Sequence, residues 1–162
     1  MRIAIDAMGG DDGPGTILDG ALVAARHLQI GLLLVGDRAT IERELSRHPA
    51  AGALDLRIID TPESIDMEEP ATAALRRKPR ASVRVAAEAV RNGEAAGMFS
   101  AGHTGASVMA ALGAFGGRAG GGPAVRWTAL GGSGGEAAEG LRCGGCGGPL
   151  WCHFGHSVGR VL

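Results

Sequence analysis

Ser100-Ala-Gly-His-Thr-Gly-Ala106 is the stretch on which the fold turns. It follows a short apolar run over 95–99 and opens an Ala- and Met-rich run over 104–115, the pattern of a strand, a turn and a helix. Gly102 and Gly105 let the backbone approach a ligand closely. The N–H groups that start the following helix have no helical partner and sit at the positive end of its dipole, so the turn favours an anion. Thr104 is a candidate N-cap. His103 is either an acid/base group or a passive polar loop residue, since an imidazole between two glycines has little to shield it.

Upstream, strand and helix signals alternate. Residues 2–5 are apolar and end in Asp6, as in a buried parallel strand that delivers a carboxylate to the sheet edge. The loop Ala7-Met-Gly-Gly-Asp-Asp-Gly13 follows, Pro14 suits the first turn of a helix, and Ile17, Leu18, Ala21, Leu22, Ala25 and Leu28 share one face. Residues 31–35 and 54–59 read as further strands. A short helix over 40–47 lies between them and ends at Pro49. Residues 82–91 form another apolar-faced helix, with Ser82 as its cap and Asn92-Gly93 as its stop. The alternation implies a parallel sheet with the loops after the first, third and fourth strands on one edge, where ligands bind in such sheets.

Two other segments carry chemistry. Asp6-Ala-Met-Gly-Gly-Asp11 has a carboxylate at a strand end, two glycines and further carboxylates, the parts of a phosphate or metal loop or of a plain structural turn. It has neither G-x-G-x-x-G nor a Gly-Lys-Ser/Thr ending, which removes most support for a dehydrogenase or a P-loop enzyme. Residues 64–80 hold Asp66, Glu68, Glu69, Arg76, Arg77, Lys78 and Arg80, a mixed-sign run that reads as a solvated loop and helix face or as a substrate-facing loop.

Composition bounds the rest. The chain has 162 residues, 45% of them hydrophobic, which suits a globular domain, and its net charge of −1 says nothing strong about partners. No apolar run reaches membrane-spanning length and no signal-peptide pattern opens the chain, so the expected location is cytoplasmic. Aromatic content of 3% argues against the stacking platforms of single-stranded nucleic-acid binders. About half of the 29 glycines, all three cysteines and both tryptophans lie after Gly116, where Ile, Asp, Asn and Lys are absent. Cys143, Cys146, Cys152 and His156 have a zinc-knuckle-like spacing, with His153 as a spare ligand, but few apolar residues surround them.

Taken together, Met1-Arg-Ile-Ala-Ile-Asp-Ala-Met-Gly-Gly-Asp11, Thr61-Pro-Glu-Ser-Ile-Asp-Met-Glu-Glu-Pro70 and Ser100-Ala-Gly-His-Thr-Gly-Ala106 resemble the PlsX family, the phosphate acyltransferases of bacterial phospholipid synthesis. The resemblance covers residues 1–116. It implies an α/β fold, three-layer and Rossmann-like with a mainly parallel sheet as in isocitrate dehydrogenases and phosphotransacetylases, here truncated. It also implies transfer of a fatty acyl group from acyl carrier protein to inorganic phosphate, without a metal or organic cofactor. The acyl phosphate formed would feed a glycerol-3-phosphate acyltransferase, and the enzyme would be a cytoplasmic, often membrane-associated homodimer. Asp6, Gly9, Gly10 and Asp11 are then expected on one side of the site, with Gly102, His103, Thr104 and Gly105 opposite. Glu63, Glu68, Lys78 and Ser82 would border the cleft, and residues 76–80 would meet the acidic carrier protein. His103 and Lys78 are the candidates for a general acid. His103 stands where the family usually has Asn. From residue 117 onward the likeness stops, and the Gly, Arg, Ala, Trp and Cys bias is that of GC-rich coding DNA read out of frame. Residues 117–162 are therefore expected to be a disordered, frameshifted tail. A non-catalytic phosphate- or nucleotide-binding module, or an inactive fragment, is the alternative reading.

Overall fold

Residues 1–66, 68–115, 125–130 and 150–155 are described by a computed structural model of the chain. In order they form β1 (Arg2–Asp6), α1 (Gly13–Leu28), β2 (Gly31–Gly36), α2 (Arg38–Leu45), β3 (Leu56–Asp60), α3 (Ala71–Arg77), α4 (Ser82–Arg91), β4 (Gly97–Ser100), α5 (Thr104–Phe115), β5 (Val125–Leu130) and β6 (Leu150–Gly155). The strands make one sheet in the order β3-β2-β1-β4-β6-β5, and every pair is parallel. The α/β three-layer expectation holds. Parallel pairing needs crossovers, so helices cover both faces and the inner strands are mostly apolar, with Asp6 and Ser100 at the ends of β1 and β4. All six residues of β2 are buried.

Alternation along the strands sorts the core into two halves. Ile5, Leu32 and Leu34 pack on one face against Leu18, Ala21 and Ala25 of α1 and Ile41 of α2. Ala4, Leu33, Val35 and Met98 pack on the other face against Val83, Ala86, Ala87 and Val90 of α4 and Ala106 and Ala110 of α5. The second half is rich in alanine, which brings α4 and α5 close to the sheet and to each other.

Element boundaries differ from the sequence reading at several points. The buried stripe of α1 is Leu18, Ala21, Leu22 and Ala25, while Leu28 is 66% exposed. That residue belongs to the last turn before the left-handed Gln29 (φ 51°) ends the helix. Helix α2 starts earlier, at Arg38, because Asp37 accepts a hydrogen bond from the Thr40 N–H at 2.8 Å and caps it. Pro49 begins a short 3-10 turn (Pro49–Ala53). Ser82 is the first residue of α4 and makes no capping bond there; Ala81 occupies the cap position. Within 64–80 the chain forms α3, and a parallel bridge pairs Glu63 with Ala81 at its two ends.

The topology places the site. Strands β1, β2 and β3 step in one direction, and the chain then returns to lay β4 on the other side of β1. That reversal is a topological switch point, where the loops leaving the two neighbouring strands diverge and open a crevice at their carboxyl ends.

Candidate functional site

The β1 and β4 pairing runs Ile3 with Gly97 and Ile5 with Phe99. It therefore brings Asp6 beside Ser100, and the two glycine loops leave the sheet side by side. They touch. A Cβ built on Gly9 would lie 2.9 Å from the Gly102 nitrogen and 2.9 Å from Asp6 Oδ2, and one on Gly102 would lie 3.0 Å from Gly9 Cα. Neither residue has positive φ. Glycine is thus required at both positions by the closeness of the backbones rather than by a left-handed turn.

Behind this contact is a buried polar cluster. Asp6 is 3% exposed. The Ser100 hydroxyl donates to Asp6 Oδ2 at 2.8 Å, and the Met8 N–H donates to Asp6 Oδ1 at 3.3 Å. Ser100 Oγ in turn accepts the Gly102 N–H at 3.3 Å and lies 3.4 Å from Ser107 Oγ. Burial holds the Asp6 carboxyl above its ordinary range, against the opposing hydrogen bonds from Ser82, Ser100 and the Met8 and Gly9 N–H groups. Asp6, Gly9, Ser82, Ser100, Gly102, His103 and Ser107 share the wall of a cavity of about 10 Å³. That is room for roughly one water molecule, so a phosphate would rest on the outer side of the loops.

His103 starts α5. Its Nδ1 accepts the Ala106 N–H at 3.3 Å and its carbonyl accepts the Ser107 N–H at 3.0 Å, so His103 occupies the N-cap position expected of Thr104. An accepting Nδ1 leaves the ring hydrogen on Nε2. The N–H groups of Thr104 and Gly105 follow in the first turn, Thr104 exposed and Gly105 half-buried. Asp11 is exposed and lies with Gly10 and Ala101 at one end of a second cavity of about 510 Å³. This groove runs along α1 over Ile3, Ile5 and Phe99 to Leu28 and Ile30, and its walls are mostly apolar.

The other expected residues lie apart from Asp6. Lys78 Nζ donates to the Ser64 carbonyl at 2.7 Å and pairs with Glu69, whose carboxyl is held below its ordinary range chiefly by that hydrogen bond. Glu63 accepts the Arg80 N–H at 2.7 Å through its side chain and the Ser82 N–H at 2.9 Å through its carbonyl, binding the segment before α3 to the start of α4. Glu68 is exposed. Among the described residues no group of three or more His, Cys, Asp or Glu side chains could hold a metal ion. Cys143, Cys146 and His156 of the zinc spacing lie outside the described residues, while Cys152 and His153 lie in β6; of the tail, 125–130 and 150–155 are the strands β5 and β6 of the sheet, and the rest lies outside the described residues.

Sequence reasoning missed Ser100 and Ser107. The signal was present in the strand ends: two parallel neighbours that finish in Asp and Ser place those side chains together once their register is known.

The sequence profile of the family described as fatty acid synthesis protein matches residues 1–119. Curated relatives named phosphate acyltransferase align over the same region. The one from Pelotomaculum thermopropionicum is 46% identical over 112 residues, 69% of this chain and 32% of the relative. That from Synechocystis is 47% identical over 111 residues, 68% and 31%. The one from Thermus thermophilus is 49% identical over 112 residues, 69% and 32%. The chain spans about a third of the length of the curated relatives it matches.

Proposed function

We propose, for a chain that belongs to the fatty acid synthesis protein family, that its two glycine loops are the phosphate-receiving part of an acyl-carrier-protein:phosphate acyltransferase. The observation that carries this reading is the contact of Gly9 with Gly102 at the sheet's switch point, with the first turn of α5 opening beside it. A phosphate oxygen attacks the thioester carbonyl, the tetrahedral intermediate collapses, and the carrier-protein thiolate leaves. The proton from hydrogen phosphate ends on the departing thiol, and acyl phosphate is formed. Such a reaction needs the nucleophile's charge held in place and N–H donors aimed at the developing oxyanion. The Thr104 and Gly105 N–H groups and His103 Nε2 supply donors, and Gly9, Gly10 and Gly102 keep side chains out of the way. The apolar groove that begins at Gly10 and Ala101 gives the acyl chain a surface to lie on.

The finer parts of the proposal follow the family resemblance. Acyl carrier protein docks near Arg76, Arg77 and Arg80, the complete enzyme is a homodimer working in the cytoplasm at the membrane surface, and residues 117–162 are out-of-frame translation. A second reading is a phosphate-binding module without catalysis, since glycine loops beside a helix start hold an anion whether or not a thioester is brought to it. Thiol release from acyl carrier protein, measured on this chain beside a full-length relative, separates them. Phosphate-dependent release supports the enzyme. Phosphate binding without release leaves the module.

A further inference from the structure

We infer that Ser100 is a positioning residue that locks the two glycine loops together through Asp6 and Gly102 and leaves the Thr104 and Gly105 N–H groups as the ones offered to an anion. The inference rests on the phosphate reading above for the identity of that anion, and on geometry for the rest.

A serine hydroxyl has one hydrogen to give and room to accept. At Ser100 the hydrogen goes to Asp6 Oδ2 at 2.8 Å, and the oxygen receives the Gly102 N–H at 3.3 Å. One side chain thereby joins the end of β1 to the turn after β4. Ser100 is 1% exposed, so neither bond is exchanged readily for water. The consequence for the turn is local. The Gly102 N–H is used up by the buried Ser100 Oγ, and the N–H groups of the first turn of α5, which lack a helical partner, come next along the chain. Ser107, one helical turn further on, lies 3.4 Å from Ser100 Oγ, but its own hydroxyl can donate to the His103 carbonyl at 3.2 Å. It supports the lock without being needed to close it.

The lock also governs the charge behind the site. The polar groups facing Asp6 are Ser100 from β4, Ser82 from α4 and the N–H groups of Met8 and Gly9 from its own loop, while His103 shares the small cavity. None of the groups that bond Asp6 is a cation. Ionised Asp6 is therefore held by neutral donors, and losing the Ser100 hydroxyl shifts Asp6 further toward its neutral form.

Ser100→Ala and Ser100→Cys in the full 162-residue chain test the inference, the thiol keeping the volume while donating weakly. Three readouts apply: amide hydrogen exchange at Gly102, the carboxyl titration of Asp6 by carbon NMR, and titration with inorganic phosphate. Loss of the hydroxyl removes both the Gly102 N–H bond and the bond to Asp6, which predicts faster Gly102 exchange by about tenfold and weaker phosphate binding by about tenfold. The Asp6 midpoint moves upward. Ser100→Thr, which keeps the hydroxyl, restores all three, and Ser107→Ala changes them little. A Ser100→Cys chain that melts at lower temperature but keeps the Gly102 exchange and Asp6 titration of the unsubstituted protein overturns the inference and reduces Ser100 to packing. Phosphate binding that is equal in the unsubstituted chain and in both variants also overturns it, while leaving the phosphate reading intact. If the unsubstituted chain binds no phosphate but the other two readouts move as expected, the phosphate reading fails and the lock stands.

Discussion

Gly9→Ala puts the loop contact to its most direct test. The added Cβ would sit 2.9 Å from the Gly102 nitrogen and 3.1 Å from its Cα, both backbone atoms that cannot rotate away. Comfortable contact for carbon begins at about 3.5 Å, so the loops must separate by roughly half an ångström or more. The same Cβ meets Asp6 Oδ2 at 2.9 Å, and moving that oxygen strains the 2.8 Å bond from Ser100. Overpacking of this kind costs about 1–3 kcal/mol. Thermal unfolding should then fall by several degrees, at roughly 4 °C per kcal/mol for a domain of this size. Gly102→Ala, whose Cβ meets Gly9 Cα at 3.0 Å, should behave alike. Because each substitution opens the same gap, the double variant should lose less than the sum of the two. Gly20→Ala is the control: it lies within α1 with nothing inside 4 Å of its Cβ, and should gain about 0.5–1 kcal/mol. Urea unfolding of the four variants measures all of this. A Gly9→Ala chain as stable as the parent, or strict additivity in the double variant, would refute the contact.

Three further outcomes are expected. The Asp6 carboxyl is raised in the folded state, so its contribution to stability is full below its unfolded value near 3.8 and declines as pH rises through its folded midpoint. Asp6→Asn should abolish that decline, and an unchanged pH–stability curve would count against the burial argument. His103→Asn should keep the start of α5 intact, since asparagine caps at least as well, whereas His103→Ala should cost about 1 kcal/mol in denaturant unfolding; equal losses would mean that the imidazole does not cap. Lys78→Met should leave phosphate affinity within about twofold, because its half-buried ammonium is occupied by Glu69 and the Ser64 carbonyl, away from Asp6 and the glycine loops. A large loss of phosphate affinity would place Lys78 at the ligand.

Much of the fold could be read from local signals. The helices at 82–91 and 104–115 are where the sequence put them, the first because its buried Val83, Ala86, Ala87 and Val90 are the periodic stripe and the second because an Ala- and Met-rich run follows the glycine turn. Strand starts were less legible: β3 and β4 each begin two residues later than the apolar run suggested, although Asp55 and Ala96 just before them already make backbone hydrogen bonds to β2 and β1. The candidate site was legible in part. Asp6, Gly9, Gly102, His103 and Ser82 line one small cavity. Their roles, however, follow from three-dimensional contacts: Ser82 faces Asp6 instead of capping α4, and His103 caps α5 in place of Thr104.

By itself the sequence determined the parallel α/β class, the family, and the two glycine loops as the place to look, because periodicity, turn residues and short motifs are all local properties of a chain. Only the tertiary structure decided why those glycines are needed and what stands behind them. The β1 and β4 register sets Asp6 against Ser100, and the meeting of Gly9 with Gly102 depends on two loops about ninety residues apart leaving adjacent strands in the same direction. Distances of that kind arise from sheet packing, which no single segment encodes.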